Sequence, residues 1–266
     1  QFNKRTFTRE VLTFEKGANK KEDIYWNQLR PVPLTNEEST DYFKKDVLQT
    51  KKKSKSYLDS IDAKRNKFSI SDPILGYEYK NSFKKWSLDY SGFLKGLSYN
   101  TVQGWDLNTS LSFIKRDPDT RTSSILEANF DYGLSEEKFR SYITYVNKFN
   151  NQNHSEFRFA AGSYLAQFNS ENPIIKIVNS VSTLFFKENY IKLYERNFIN
   201  TCFEREVFNG LTLNAEVVYS ERKPVFNTTD FVIIKKDQEF TSNNPLLPED
   251  EITPAIVKHN LVNTYL

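Results

Sequence analysis

The sequence contains no methionine, one cysteine and only 8 glycines in 266 residues. The single cysteine, Cys202, excludes a disulfide within the chain and a cysteine-rich metal site. The scarcity of glycine leaves no glycine-rich loop that could cradle a phosphate, and no spacing of ligating side chains matches a metal site. No stretch approaches the roughly 18 consecutive apolar residues that a transmembrane helix needs. The sequence therefore predicts neither a helical membrane protein nor a cofactor or metal enzyme.

Catalytic residues are also scarce. The two histidines, His154 and His259, each stand alone, and no Ser-His-acid or Cys-His arrangement has local support. Four carboxylates in the predicted strands could form an acid pair in space, or they could simply be wetted polar side chains. These four are Asp106, Glu127, Asp131 and Glu216. The sequence favours the wetted role, and we expect no enzyme activity and no cofactor.

The charge is divided unevenly along the chain. Residues 1–85 hold 19 Lys and Arg against 12 Asp and Glu, whereas residues 86–266 hold 18 against 22. A split of this kind suggests two regions with different surroundings. We predict a connector at residues 1–85 and a second domain at residues 86–266.

The connector carries signals for helix rather than for a core. Thr35 and Glu38 fit a capping box, and a polar helix is predicted to follow towards residue 65. The lysine-rich run at residues 51–55 is typical of a solvated helix face. It could instead contact anionic lipid head groups or a partner protein. No motif that reads nucleic acid accompanies it.

From Trp86 onward the hydrophobic period changes to two. Apolar and polar residues alternate in three long segments, a pattern typical of strands with one apolar and one polar face. The apolar set consists of Trp105, Leu107, Leu111 and Phe113, then Leu126, Ala128, Phe130 and Tyr132, then Leu211, Leu213, Ala215, Val217 and Tyr219. We predict that this set faces lipid, because barrel strands alternate lipid-facing apolar with lumen-facing polar residues.

Strand length and loop length favour the same architecture. Further strands are predicted at about 86–99, 139–149, 155–168, 198–208 and from about 260. Most candidates are longer than the 5–6 residues common in globular proteins, and a tilted membrane strand needs about 9–11. Short connections at 116–121, 150–154 and 209–210 fall on one side, and long ones at 169–197 and 223–259 fall on the other. Outer-membrane barrels have short periplasmic turns and long external loops.

The sequence thus predicts a mainly β protein, the N-terminal part of an antiparallel outer-membrane β-barrel preceded by a partly helical periplasmic connector. We expect further residues before Gln1 and after Leu266. The loop at 169–197 is predicted to contain a helix that begins near Asn172 and Pro173. That helix could pack over the barrel mouth or serve as a plug or docking surface.

The abundant aromatic residues, 15% of the chain, allow two interpretations. They could form the aromatic girdles of the membrane interfaces, or they could line a sugar-binding groove. The residues concerned are Trp86, Tyr90, Tyr99, Trp105, Tyr132, Tyr142, Tyr145, Tyr164 and Tyr219. The girdle is the simpler interpretation for residues at strand ends.

Several stretches resemble an outer-membrane family of unknown function that follows a carboxypeptidase-regulatory-like domain. They are residues 14–21, 25–26, 30–35, 56–61, 75–77, 100–105, 172–185 and 219–224. The resemblance implies a periplasmic β-sandwich in front, this connector, and a barrel similar to that of the Omp85-type surface antigens. It implies a role in assembling or moving proteins at the outer membrane, and it offers no catalytic residues.

The leading hypothesis is a non-enzymatic barrel in the outer membrane of a Gram-negative cell, with residues 1–85 on the periplasmic side. It would act in envelope biogenesis, protein assembly or translocation, or transport, in contact with outer-membrane lipid and other envelope proteins but not with nucleic acid. The alternative is a soluble β-rich module that binds glycans or proteins; an enzyme acting on cell-surface polymers comes third. Burial of Leu107, Phe130 and Val217 inside a compact core would contradict the leading hypothesis.

Overall fold

The computed structural model describes residue 21 and residues 23–266. The rest of the predicted connector, residues 1–20 and residue 22, lies outside the described residues. The helices are α1 (Asp23–Leu29), α2 (Asn36–Lys53), α3 (Lys55–Arg65), α4 (Asp72–Leu75) and α5 (Lys176–Val181). A π-helical turn, Ser182–Phe186, continues α5.

The start of α2 follows from its first residues. The Thr35 hydroxyl accepts a hydrogen bond from the Glu38 amide, and the Glu38 carboxylate accepts one from the Thr35 amide, which completes a capping box. Ser54 is extended between α2 and α3 and caps α3 with its hydroxyl. The predicted capping box and a helical stretch that ends near residue 65 are both confirmed, although the helix is broken at Ser54.

The remainder of the chain is dominated by antiparallel strands. They are β1 (Tyr77–Asn81), β2 (Trp86–Tyr90), β3 (Leu97–Asn100), β4 (Gly104–Asp117), β5 (Thr122–Gly133), β6 (Lys138–Asn150), β7 (Ser155–Gln167), β8 (Leu193–Phe208), β9 (Leu211–Pro224) and β10 (His259–Tyr265). All belong to one sheet in the order β1-β2-β4-β5-β6-β7-β8-β9-β10, and β3 pairs with β4 beside β2. The predicted mainly β, antiparallel architecture is confirmed. Among the described residues β1 and β10 do not pair with each other, so the sheet is open.

Apart from β2 and β3, which both pair with β4, neighbours along the chain pair in the sheet, so their connections alternate between its two ends. One end, which we call the turn end, holds the connections at 82–85, 118–121, 151–154 and 209–210. The other, the loop end, holds 101–103, 134–137, 168–192 and 225–258. The connection 91–96 lies at neither end, because β2 and β3 pair one after the other along the same edge of β4. The predicted separation of short turns from long loops is confirmed. β8 is joined to β9 by the two-residue turn of Asn209 and Gly210, and the φ of 82° at Gly210 suits a tight hairpin.

Two predicted boundaries differ from the structure. The sheet begins at Tyr77, before the boundary predicted at residue 85, and the single strand predicted at 86–99 is divided into β2 and β3. Gly92, with φ of 77°, breaks the run, and a Cβ there would lie 2.5 Å from the carbonyl oxygen of Ile74. The chain can therefore pass α4 closely at this point only with glycine.

The predicted helix start at Asn172 is wrong, because α5 begins at Lys176. The Gln167 side chain accepts a hydrogen bond from the Ile174 amide and donates one to the Ile174 carbonyl. This pair of bonds occupies backbone groups that an earlier helical turn would have used. The segment after Pro173 is thus tied to the end of β7 before the helix starts.

The helices join the sheet at the outer edge of β1. The Asn66 side chain accepts a hydrogen bond from the Lys80 amide and donates one to the Lys80 carbonyl, at 2.9 and 2.7 Å. Asp62, buried in α3, accepts hydrogen bonds from the amide and hydroxyl of Ser82 at 2.6 and 2.7 Å. These contacts fix the end of α3 beside the β1–β2 connection.

The apolar core is small for a chain of this length. A cluster of buried hydrophobic residues lies at the loop end and consists of Val102, Ile191 and Leu193, with Leu165, Ile174 and Val225 packed on it. In the described residues, fully buried positions are more often polar than apolar. The sheet itself therefore has no conventional hydrophobic core on either side.

Candidate functional site

The predicted lipid-facing residues share one surface of the sheet. In the register, Leu107 lies opposite Tyr132, Leu111 opposite Ala128, and Phe113 opposite Leu126. We call this surface the apolar face and the opposite surface the polar face. Trp105, Leu107, Ala128 and Ala215 are half-buried, and the other nine residues of the predicted set are exposed. Phe130 and Val217 are 36% and 52% exposed, so neither is sealed in a core.

One row of directly opposed residues crosses the apolar face from β2 to β10. It runs Tyr90, Leu111, Ala128, Ile143, Ala161, Ile199, Tyr219, Val262. Every member is aliphatic or aromatic, and they come from eight different strands. Directly opposed side chains on neighbouring strands lie about 4.5–5.5 Å apart, so the row forms a continuous apolar surface.

The polar face carries a different chemistry in the same strands. Arg158 pairs with Glu204 at 3.2 Å and with Glu156 at 3.3 Å. Asn200 donates to Glu216 at 2.8 Å, and Asn129 donates to Glu127 at 2.9 Å. The two surfaces of the sheet therefore differ in polarity.

The aromatic residues named from the sequence divide between the faces. By register, Trp86, Tyr90, Trp105, Tyr132, Tyr145 and Tyr219 lie on the apolar face. Tyr99 is buried at the loop end, where its hydroxyl donates to the Phe231 carbonyl at 2.7 Å. Tyr142 and Tyr164 lie on the polar face with ring centroids 5.6 Å apart. The named aromatic residues thus divide among the apolar face, the polar face and the buried loop end, and do not form one group.

A cavity of about 550 Å³ lies at the loop end, against the polar face and beneath α5. Its polar lining comes from the sheet, the connections before and after β3, and α5. The lining includes Lys95, Asn100, Gln103, Asn108, Asp131, Tyr142, Tyr164, Gln167 and Lys176. A cavity of this size and polarity can hold a small polar solute.

Two carboxylates anchor the wall of this cavity. Asp106 is fully buried, and one of its oxygens accepts hydrogen bonds from Ser98 at 2.9 Å and from Lys176 at 2.8 Å. Asp131 accepts hydrogen bonds from Gln103 and Asn108. Because Lys176 is the first residue of α5, its bond to Asp106 fastens that helix to β4.

A buried asparagine organises the rest of the loop. The Asn179 side-chain Oδ1 accepts hydrogen bonds from the backbone amides of Tyr190 and Ile191 at 2.9 and 3.0 Å, and its Nδ2 donates to the Asn189 side chain at 2.8 Å. These bonds close the chain from α5 back to β8. The sequence analysis missed this network, since its members are polar and lie up to 12 residues apart. The density of Asn, Ser and Thr between two strands was the available signal.

A lysine ties the two long loops together. The Lys192 amine donates to the Thr241 hydroxyl at 2.6 Å and to the Ser242 carbonyl at 2.7 Å. Burial lowers the pKa of this amine to about 8. The long loops are therefore ordered against each other and do not hang free over the sheet.

The four carboxylates considered from the sequence do not assemble into one group. Asp131 lines the cavity and Asp106 binds the lining residue Lys176, whereas Glu127 and Glu216 are engaged by asparagines elsewhere on the polar face. Among the described residues, no group of three or more His, Cys, Asp and Glu is arranged to hold a metal ion. The helices described here include none that is both long and apolar enough to cross a bilayer.

Comparison with protein families gives one match, to the model described as "Family of unknown function (DUF5686) C-terminal domain", over residues 71–266. The matched region covers all ten strands and most of the chain, and the chain belongs to this family. Comparison with curated proteins and with solved structures gives no match.

Proposed function

We propose that this member of a family of unknown function is a non-enzymatic outer-membrane β-barrel protein. It acts in envelope biogenesis, protein assembly or translocation, or transport, as part of a larger complex with other envelope proteins. The observation that carries the proposal is the apolar face. A continuous row of apolar side chains crosses the sheet, and no second layer covers it among the described residues.

Exposed apolar surface of this extent is costly in water, because monomeric soluble proteins rarely leave contiguous apolar patches larger than a few hundred Å². In a membrane the same surface is matched by hydrocarbon. On β9 the apolar residues run from Leu211 to Tyr219, about 27 Å along the strand. At the usual tilt of about 35–45° this spans a height of about 20 Å, which fits within the roughly 25 Å apolar band of outer-membrane barrels.

The two ends of the sheet support an orientation. Short periplasmic turns and long external loops are the rule in such barrels. The turn end would therefore face the periplasm, and α3, which contacts Ser82 in a turn-end connection, would lie on the same side. This agrees with a periplasmic position for the connector. The polar face would then line an aqueous interior, with α5 and the long loops across its outer mouth.

Adjacent residues on β4 offer a direct test. Leu111 lies on the apolar face and Ser112 on the polar face, so Leu111→Cys and Ser112→Cys are a matched pair. Both are made in a Cys202→Ser background, and the purified protein is inserted into lipid vesicles. A water-soluble maleimide should label Ser112→Cys and leave Leu111→Cys unmodified until the protein is unfolded.

Equal labelling of the two folded variants would show that both faces meet water and would refute the proposal. Extraction of the native protein from envelope membranes gives a second test. Release by carbonate or high salt without detergent would also contradict membrane integration.

One observation favours the alternative of a soluble glycan- or protein-binding module. Tyr142 and Tyr164 line a polar cavity together with side-chain amides and the Asp131 carboxylate, as aromatic and polar groups do in sugar-binding sites. Under this alternative the protein would remain monomeric and fold cooperatively without detergent. Sedimentation in detergent-free buffer distinguishes the two functions.

A further inference from the structure

Three basic side chains lie side by side on the polar face near the loop end. In the register, Arg196 of β8 is directly opposite Arg222 of β9, which is directly opposite His259 of β10. Residues that are paired in this way point to the same side of the sheet, with Cβ atoms about 4.5–5.5 Å apart. Tyr164 of β7 continues the row on the other side of Arg196. We call Arg196, Arg222 and His259 the basic row.

The two arginines have no carboxylate partner among the described residues. The ion pairs found near them join Lys223 and Lys258 to Glu195 and Glu221. Within the part of the chain that the structure describes, Arg196 donates a side-chain hydrogen bond only to Tyr164, and Arg222 donates none. The Nε atoms of Arg196 and Arg222 are buried and lack an acceptor. Like charges directly opposite on neighbouring strands are destabilising. The arrangement is therefore unfavourable for folding alone.

The nearest acidic residues along these strands are already engaged by other cations. Glu221 accepts from Lys223 at 2.9 Å and from Lys258 at 2.7 Å. Glu195 is shared by Arg140 and Lys138. Neither carboxylate is left to neutralise the basic row.

Aromatic rings hold the guanidinium groups in place. The Arg196 guanidinium carbon lies 5.4 Å from the Phe198 ring centroid, and its Nη1 donates to the Tyr164 hydroxyl at 2.9 Å. The Arg222 guanidinium carbon lies 5.2 Å from the Tyr194 ring centroid. Rings in this position orient the planar guanidinium and reduce its side-chain freedom. The two guanidinium groups are thus preorganised for ligand binding.

We propose that the basic row is a binding site for the phosphate group of a small solute at the polar face. Two guanidinium groups one strand apart suit the oxygens of a phosphate, which arginine binds through paired N–H donors. The Nδ1 of His259 lies 2.7 Å from the Val257 carbonyl, so its Nε2 is the nitrogen that remains for the ligand.

The site has room for more than the phosphate itself. Tyr164, which holds Arg196, also lines the cavity of about 550 Å³. Lys95 is part of the same lining and adds positive charge. A phosphorylated solute could therefore place its phosphate on the basic row and its remainder in the cavity.

This inference does not rest on the proposed membrane location, because it needs only a polar face that is open to water. A protein that proved soluble would refute the proposed function and leave the anion site to be tested in plain buffer. Failure of the anion test would leave the labelling of Leu111→Cys and Ser112→Cys unaffected. The two failures are therefore distinguishable.

The test is a calorimetric titration of the full chain with pyrophosphate at low ionic strength. The double variant Arg196→Gln, Arg222→Gln removes the unpaired charges and should weaken binding at least tenfold. Arg158→Gln is the matched control, since Arg158 lies on the same face but is already paired with Glu156 and Glu204. It should change the affinity less than twofold.

A thermal melt guards against misfolding. Without ligand the double variant should melt at the same temperature as the native chain or higher, because a repulsion has been removed. Pyrophosphate should raise the melting temperature of the native chain and not that of the double variant. A parallel titration with short-chain phosphatidic acid separates a lipid head group from a free phosphate as the source of the anion. Absence of binding to the native chain, or equal binding by the double variant, would overturn the proposal.

Discussion

The helices at residues 23–75 and the sheet at residues 77–265 are stabilised by interactions of different range. In α2 no described residue is buried, and its contacts are local, such as the Thr35 capping box and the Asp41–Lys45 pair at 2.6 Å. In the sheet, each long strand depends on partners on both sides and on the medium that meets its two faces. A substitution in the helices should therefore affect stability locally, whereas a substitution in the sheet should affect several strands together.

The largest contrast is expected from a charge placed on an exposed apolar residue in each region. Val217→Arg puts a cation near the middle of β9 on the apolar face, where Val217 is 52% exposed. In lipid vesicles this should cost about 2–4 kcal/mol of unfolding free energy, the cost of a midplane cation on a barrel. Leu48→Arg in α2, where the side chain is 54% exposed, should stay within about 0.5 kcal/mol.

Denaturant unfolding of both variants in the same vesicles measures the difference. If Val217→Arg were as mild as Leu48→Arg, the apolar face would be in water and the contrast between the regions would disappear.

Breaking the joint between the regions should have the next largest effect. Asp62→Ala removes the acceptor of two hydrogen bonds from Ser82 and should cost about 2–3 kcal/mol, since bonds to a charged group are stronger than neutral ones. Asp59→Ala, on the exposed side of the same helix, is the control and should be nearly neutral. Limited proteolysis should release α3 only from the Asp62 variant. Equal protection in both variants would show that α3 is held by other contacts.

Removal of the helix cap should be smaller and local. Thr35→Ala should cost about 1 kcal/mol, the usual loss for an N-cap hydroxyl. Amide hydrogen exchange should speed up in the first turn of α2 and remain unchanged in the sheet. Thr40→Ala, whose hydroxyl donates to the Asn36 carbonyl inside the helix, should be neutral or slightly stabilising. A change of exchange rates in β1 would contradict the independence of the two regions.

The smallest effect expected is on the pH dependence of α2. Hydrogen bonds from the Thr35 amide and hydroxyl hold the pKa of Glu38 below its usual 4.5. The carboxylate therefore stabilises the helix above pH 4.5, and this contribution is lost as the pH falls through the lowered pKa. Glu38→Gln keeps the acceptor but cannot titrate, so its first-turn exchange should be flat over this range after correction for intrinsic rates. Identical pH profiles for the two proteins would show that Glu38 does not cause the pH dependence of α2.

The same difference in range explains what the sequence could reveal. The capping box at Thr35 and the alternation through Leu107, Phe130 and Val217 are written in neighbouring residues, so they could be predicted. The bond between Asp106 and Lys176 joins positions 70 residues apart, and that between Asn66 and Lys80 replaces a strand pairing with a side chain. No local pattern encodes such contacts. The strand predicted to begin at residue 198 begins five residues earlier, at Leu193, because Glu195 interrupts the apolar alternation there.

The Asn66 amide has a consequence for how this sheet meets other chains. By bonding both backbone groups of Lys80, it acts as a one-residue imitation of a neighbouring strand and blunts the rim of β1. A strand that adds at the edge of β1 must first displace the Asn66 side chain. In the described residues no side chain is bonded to the outer edge of β10 in this way. Extension of the sheet by a further strand is therefore impeded at β1 and not impeded in this way at β10.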